Sequence, residues 1–169
     1  ESQLASIMES YLAAAVQSAG AAGSYPCTLA VEPGQTLLKQ GLRWLGCQLA
    51  ERDMVGTPAM ALASGGWELH IWTEDGERRS REEVLLLTCA ALLDSGQRNL
   101  YLPPEAPAAI ERLARDRGGT VQRMESGAPT GCQRSLRDGL FAACQIVRYV
   151  QRTGETLSQL FQRLPGCQV

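Results

Sequence analysis

Residues 67–76 read Trp67-Glu68-Leu69-His70-Ile71-Trp72-Thr73-Glu74-Asp75-Gly76, and after Glu77-Arg78-Arg79 the chain continues Ser80-Arg81-Glu82-Glu83-Val84-Leu85-Leu86-Leu87 toward Asp94. The alternating run Glu68–Thr73 has the period of a strand, because successive side chains leave a strand on opposite faces. Asp75-Gly76 suits a turn that needs φ > 0. Ser80 and Glu83 stand three apart as a capping box, the serine oxygen taking the backbone N–H three residues on and the glutamate reaching back. The helix they open is apolar nearly all round, through Val84 to Leu87 and Ala90, Ala91, Leu92 and Leu93. A helix without a polar face is expected to be buried.

Working downstream, Asn99-Leu100-Tyr101-Leu102 reads as a second strand, Glu105 to about Arg117 as a helix closed by Gly118-Gly119, and Thr120–Met124 as a third strand. Strands separated by helices of about a dozen residues imply parallel βαβ units, since a parallel neighbour needs a crossover of that length. After a Gly/Pro loop at 127–131, a helix is expected from Leu136 to Gln151, with Leu136, Leu140, Cys144 and Val147 along one face. Thr156 and Gln159 form another capping box, opening a short last helix to Leu164.

Upstream, Leu4, Ile7, Met8, Tyr11, Leu12 and Ala15 carry helical spacing over Gln3–Ser18. The segment Gly20–Ser24 breaks that pattern as a flexible connection. Cys27–Val31 reads as a short buried strand, Gln35–Leu45 as a helix ended by Gly46, and Cys47–Leu49 as an edge strand. Met54–Gly66 shows little periodicity, and the domain boundary is placed there. The fold class is therefore α/β: two small three-layer α/β/α units with mostly parallel sheets, over residues 1–60 and 61–169.

Composition narrows the function classes. The 169 residues are 44% apolar, and sixteen basic residues balance eighteen acidic ones for a net charge of -2. No basic face is expected for nucleic acid or anionic lipid. The basic residues are fifteen arginines and Lys39, which base composition explains as readily as anion recognition. No apolar run reaches the roughly 18 residues of a membrane span, and no signal peptide is visible, so a cytoplasmic protein is expected. The chain begins at Glu1 rather than Met and is expected to be a piece of something longer.

Six cysteines, Cys27, Cys47, Cys89, Cys132, Cys144 and Cys167, form no Cys-x-x-Cys pair, which argues against a zinc site. Cys89 and Cys144 fall inside apolar helical patterns, as small buried hydrophobes do. His70 is the sole histidine and sits in a strand, where it reads as a solvated or core-edge residue. No G-x-G-x-x-G, Walker A loop or G-x-S-x-G elbow is present. Glu74-Asp75 and Glu82-Glu83 are paired carboxylates, but a turn and a helix first turn explain them.

The order of these pieces resembles the α-D-phosphohexomutases, the phosphomannomutase and phosphoglucomutase family. Leu69-x-x-Trp72-Thr73-Glu74-x-Gly76 before a Leu-rich helix is similar to the start of that family's third domain, D-x-D-G-D-R-L-x-x-V-D-E-x-G. Leu102-Pro103, Gly118-Gly119-x-Val121-x-Arg123, Asp138-Gly139-Leu140-Phe141-Ala142 and Thr153-Gly154-Glu155-Thr156-Leu157-Ser158-Gln159-Leu160 resemble later pieces in the same order. Tyr11-Leu12, Leu29–Val31 and Leu45-Gly46-Cys47 echo its second domain.

In that family the three motif aspartates hold Mg²⁺ beside a phosphoserine. Aligned without a gap through Gly66, Leu69 and Gly76, those positions fall on Ala63, Gly65 and Trp67, and the motif arginine on Glu68. None is a ligand for a hard cation that requires oxygen donors. Nothing resembles the family's T-A-S-H-N-P nucleophile loop, and Glu125-Ser126-Gly127 lacks the histidine of its sugar-binding loop. The resemblance thus implies a region with no catalytic residue, metal or cofactor. Its expected role is a structural, regulatory or oligomerising appendage of a sugar-1-phosphate nucleotidylyltransferase, with that catalytic domain or a second copy as partner. A sugar-phosphate or nucleotide-sugar binding module, with Arg123, Arg134 and Arg137 gathering the anion, is the alternative. An active phosphohexomutase is the third reading.

Overall fold

The computed structural model describes residues 2–50, 55–125 and 131–166. Helix α1, Ser2–Ser18, leads to strand β1, Thr28–Ala30, helix α2, Thr36–Trp44, and strand β2, Gln48–Ala50. Strands β3, Ala59–Ala63, and β4, Glu68–Trp72, form a hairpin. Then come helix α3, Arg81–Asp94, strand β5, Asn99–Leu102, helix α4, Ala109–Asp116, and strand β6, Thr120–Arg123. Helices α5, Gly139–Thr153, and α6, Leu157–Gln162, follow.

One sheet runs β2-β1-β3-β4 and a second pairs β5 with β6. β1 is parallel to both neighbours, β3–β4 is antiparallel and β5–β6 is parallel. The α/β class with mostly parallel pairing therefore stands, and the β1–α2–β2 and β5–α4–β6 crossovers are its units. Both capping boxes form: Glu83 N donates to Ser80 Oγ at 3.2 Å and Gln159 N to Thr156 Oγ1 at 3.1 Å.

Several expectations move. β3 lies inside the stretch read as aperiodic, because Ala-Met-Ala-Leu-Ala has neither polar alternation nor strong β propensity. What makes it a strand is its five-residue register with β4, from Ala59↔Trp72 to Ala63↔Glu68. β4 consequently pairs with β3 rather than with β5, and the expected parallel run from β4 into β5 is absent among the described residues. The boundary expected between residues 60 and 61 falls within β3. α4 starts only at Ala109, since Ala106 N turns back onto Pro103 O. α5 starts at Gly139 behind an Asp138 cap, and a separate 3₁₀ turn occupies Arg134–Leu136.

α5 is the organising element. It is buried along most of its length and packs against α1, α2, α3, β3 and β4. One hydrophobic core extends from Leu12 through Leu29, Leu87 and Ile146 to Leu164. Burying each such Leu or Ile contributes about 1.5–3 kcal/mol, enough in aggregate to hold short strands that could not stand alone. Cys89 and Cys144 are fully buried in this core, as their setting implied. No helix among the described residues is long and apolar enough to cross a membrane.

Within the otherwise exposed Gly20–Ser24 segment, Gly23 packs closely on the C-terminal part of α5. A Cβ on Gly23 would stand 2.0 Å from the Gln151 carbonyl oxygen, and Tyr25 N donates to that same oxygen at 3.0 Å. Glycine is needed there because backbone meets backbone.

Candidate functional site

The hairpin between β3 and β4 is where the implied metal positions lie. Ala63 ends β3, Gly65 is the middle of a 3₁₀ turn over Ser64–Gly66, and Trp67 follows it, two-thirds exposed. Ser64, Gly65 and Gly66 take φ of 54°, 70° and 98°, so the turn is built on three successive left-handed residues. That backbone suits glycine, and Ser64 holds it against the Cβ penalty. The turn supplies no carboxylate, and the next along the chain, Glu68, sits 3.5 Å from His70 Nε2. A divalent hard cation needs several oxygen ligands, so these residues do not fit Mg²⁺. Among the described residues no group of three His, Cys, Asp or Glu side chains is arranged to hold a metal.

Behind this hairpin lies a cavity of about 370 Å³, bounded by β4, the first turns of α3, the loop after β5 and the start of α5. Small-ligand sites span roughly 300–1,000 Å³, which places it in that range. Leu69, Val84, Leu85, Leu136 and Ala142 make its apolar wall, and Trp67 belongs to its lining. Charge enters through Glu68, His70, Arg78, Arg79, Arg81, Glu105, Arg137 and Asp138.

Two of these charges are already committed. Arg79 pairs with Glu83 at 3.3 Å and lies over the Phe161 ring, its guanidinium carbon 5.1 Å from the centroid. Asp138 caps α5, accepting from Leu140 N at 3.0 Å and Phe141 N at 3.3 Å, and also accepts from the Tyr11 hydroxyl. Arg78, Arg81 and Arg137 remain against Glu68 and Glu105, a positive balance. His70 Nε2 lies 3.0 Å from Arg78 Nη2 and 3.5 Å from Glu68. That nitrogen accepts from Arg78 when it carries no hydrogen and donates to Glu68 when it carries one, so it serves one partner at a time.

The three arginines expected to gather an anion do not converge. Arg123 wraps the loop before α4: Nε donates to Glu111 at 2.8 Å, while Nη1 donates to Ala106 O at 2.7 Å and Pro104 O at 3.0 Å. Nη2 donates to Pro107 O at 3.2 Å and to Glu111 at 3.1 Å, so the whole guanidinium is engaged. Arg134 stacks over Phe141 at 4.2 Å and Tyr11 at 5.2 Å and lies 3.5 Å from Asp138. Only Arg137 lines the cavity, and its Nε is buried without a hydrogen-bond partner. Sequence reading missed Arg78 and Arg81, whose only local signal was an arginine cluster beside the Ser80 cap. Ser126 and Gly127 of the weighed sugar loop lie outside the described residues, as does Cys167.

The sequence matches no protein-family model, and no curated protein matches it. In fold it is similar to a phosphoglucomutase/phosphomannomutase family protein of Burkholderia thailandensis, with a TM-score of 0.70 at 16% identity, covering 94% of this chain and 46% of that one. It is likewise similar to a protein of Thermus thermophilus assigned as a phosphomannomutase, with a TM-score of 0.69 at 14% identity, covering 92% of this chain and 49% of that one. The chain thus spans slightly less than half the length of either. At these identities the likeness is one of fold.

Proposed function

We propose that this chain is a non-catalytic phosphohexomutase-like region in which residues 1–60 and 61–169 correspond to the second and third domains of that fold. The observation that supports the reading is that the Ala63–Trp67 turn, onto which the family's metal-ligand positions align in sequence, offers no carboxylate. Its role is that of a structural, regulatory or oligomerising appendage to a cytoplasmic sugar-1-phosphate nucleotidylyltransferase. Incubation with Mg²⁺, a hexose bisphosphate activator and glucose or mannose 1-phosphate is expected to give no 6-phosphate. Product formation abolished by chelation overturns the proposal. The reading frame upstream of Glu1 tests the attachment: a nucleotidylyltransferase sequence supports it, and an initiator methionine directly before Glu1 overturns it.

The cavity favours a second reading, a module that binds a sugar phosphate or nucleotide sugar without chemistry. Arg137, with its buried unpartnered Nε, supports this together with Arg78 and Arg81. Arg binds phosphate through a rigid fork of donors, and an apolar wall with an indole suits the body of such a ligand. Calorimetry with mannose phosphates, glucose phosphates and GDP-mannose is expected to show heat that Arg137→Ala removes. Absence of heat at millimolar ligand overturns it.

A further inference from the structure

Cys27 stands directly before β1 and Cys47 directly before β2, at equivalent places in the parallel register Thr28↔Gln48, Leu29↔Leu49, Ala30↔Ala50. Gln48 N donates to Cys27 O at 2.9 Å, which extends the ladder to the cysteines. One step along, the side chains of Thr28 and Gln48 meet on the outer face, Thr28 Oγ1 donating to Gln48 Oε1 at 3.3 Å. Side chains alternate between faces along a strand, so the preceding pair projects together to the inner one. Both side chains are buried there, and Cys47 Sγ donates to Gln48 O at 3.6 Å. Neighbouring strands lie about 4.8 Å apart, within the roughly 4.4–6.8 Å Cα separation that a disulfide spans.

The pair is not sealed from solvent. Cys27 lines a second cavity of about 250 Å³, open to solvent between the β1 entrance and the Gly154–Leu157 segment. Cys47 does not line it. We propose that Cys27 and Cys47 form a peroxide-oxidisable pair that closes to a disulfide, Cys27 attacking and Cys47 resolving.

The chemistry balances with hydrogen peroxide as oxidant. Cys27 sulfur attacks one peroxide oxygen, the O–O bond breaks, and the leaving hydroxide takes the thiol proton as water. Cys47 sulfur then attacks the resulting sulfenic acid, the S–O bond breaks, and a second water leaves. Two thiols lose two electrons and the peroxide is reduced to two waters. The neighbouring Cys47 thiol holds the Cys27 thiol below its usual range, against opposing burial and the nearby Glu74 carboxylate. Its engagement with Cys27, and then burial, push the Cys47 thiol well above that range. Cys27 is the attacking sulfur because it, and not Cys47, lines the cavity through which peroxide would arrive. The closed bond ties β1 to β2 and encloses α2.

The test treats the native, reduced protein with a few equivalents of peroxide, quenches with catalase, alkylates in denaturant and maps the peptides. The expected result is one linked pair containing Cys27 and Cys47, about 2 Da lighter than the two thiols and separated by dithiothreitol. Cys89 and Cys144 are expected to be recovered fully alkylated. In Cys47→Ser, a dimedone adduct is expected on Cys27. Recovery of Cys27 and Cys47 as free alkylated thiols, or as separate sulfinic acids, overturns the proposal. So does a link from Cys27 to any other cysteine. The wild-type map decides the matter even if Cys47→Ser folds poorly, and oxidation in urea, where pairing is scrambled, is the reference.

Discussion

The Tyr11 hydroxyl lies 2.6 Å from Asp138 Oδ2 and 2.8 Å from Oδ1, joining α1 to the cap of α5 across 127 residues of chain. Burial, then the hydrogen bond and charge of Asp138, hold the phenol well above its ordinary range. Tyr11→Phe removes a donor to a charged acceptor and is expected to cost about 1–2 kcal/mol in urea unfolding at neutral pH. The neutral phenol is the form the fold favours, so its contribution is complete below about pH 10 and is lost as pH rises further. The wild-type protein is therefore expected to lose stability above about pH 10 more steeply than Tyr11→Phe, a difference that paired urea melts read directly. Equal slopes would remove the linkage.

Asp138 also caps α5 through Leu140 N and Phe141 N. Asp138→Ala is expected to cost about 2–3 kcal/mol, more than Tyr11→Phe, because it removes the cap and strands the phenol. A double-mutant cycle with Tyr11→Phe is expected to be non-additive, the tyrosine change costing little once the carboxylate is gone.

Arg123 and Arg137 are expected to separate stability from binding. Arg123→Ala frees Glu111 and three loop carbonyls and should lower stability by about 2 kcal/mol with ligand heat unchanged. Arg137→Ala should abolish that heat while shifting the melting midpoint little. The opposite pattern would move the anion site to Arg123.

Gly23→Ala is expected to destabilise by about 3 kcal/mol, since its Cβ would meet the Gln151 carbonyl oxygen at 2.0 Å, and backbone cannot rotate away as a side chain does. Gly34→Ala, with nothing within 4 Å, is the control, and its midpoint should stay close to wild type. Thermal melts of the two variants decide this.

Burial alone pushes the Cys89 thiol up to about 12 and, as the largest cause, does the same for Cys144. Neither should react with a disulfide reagent in the native protein at pH 8, and both should become reactive at the rate of unfolding. Fast labelling of either under native conditions would contradict the packing around α5.

Features that a short stretch of chain specifies by itself were legible. The Ser80–Glu83 and Thr156–Gln159 boxes each close over three residues, and the alternation of β4 needs only one buried face, so local spacing decided them. The absence of a carboxylate at Ala63, Gly65 and Trp67 is likewise a matter of which side chains are present. β3 was not legible, because Ala59–Ala63 becomes a strand only by pairing with β4. Nor was the cavity: Arg78 precedes α3 and Arg81 opens it, while Arg137 precedes α5 nearly sixty residues later, and packing of α5 on α3 and β4 brings them to one wall. Arg123 and Arg137 look alike in the sequence, yet one is spent on Glu111 and loop carbonyls and the other faces the cavity. The sequence by itself determined the α/β elements, their caps and the chemistry the turn lacks, since these depend on neighbouring residues and on side-chain identity. The tertiary structure alone decided which arginines face a common space and that Cys27 stands beside Cys47, because strand register and helix packing set distances that separation along the chain does not.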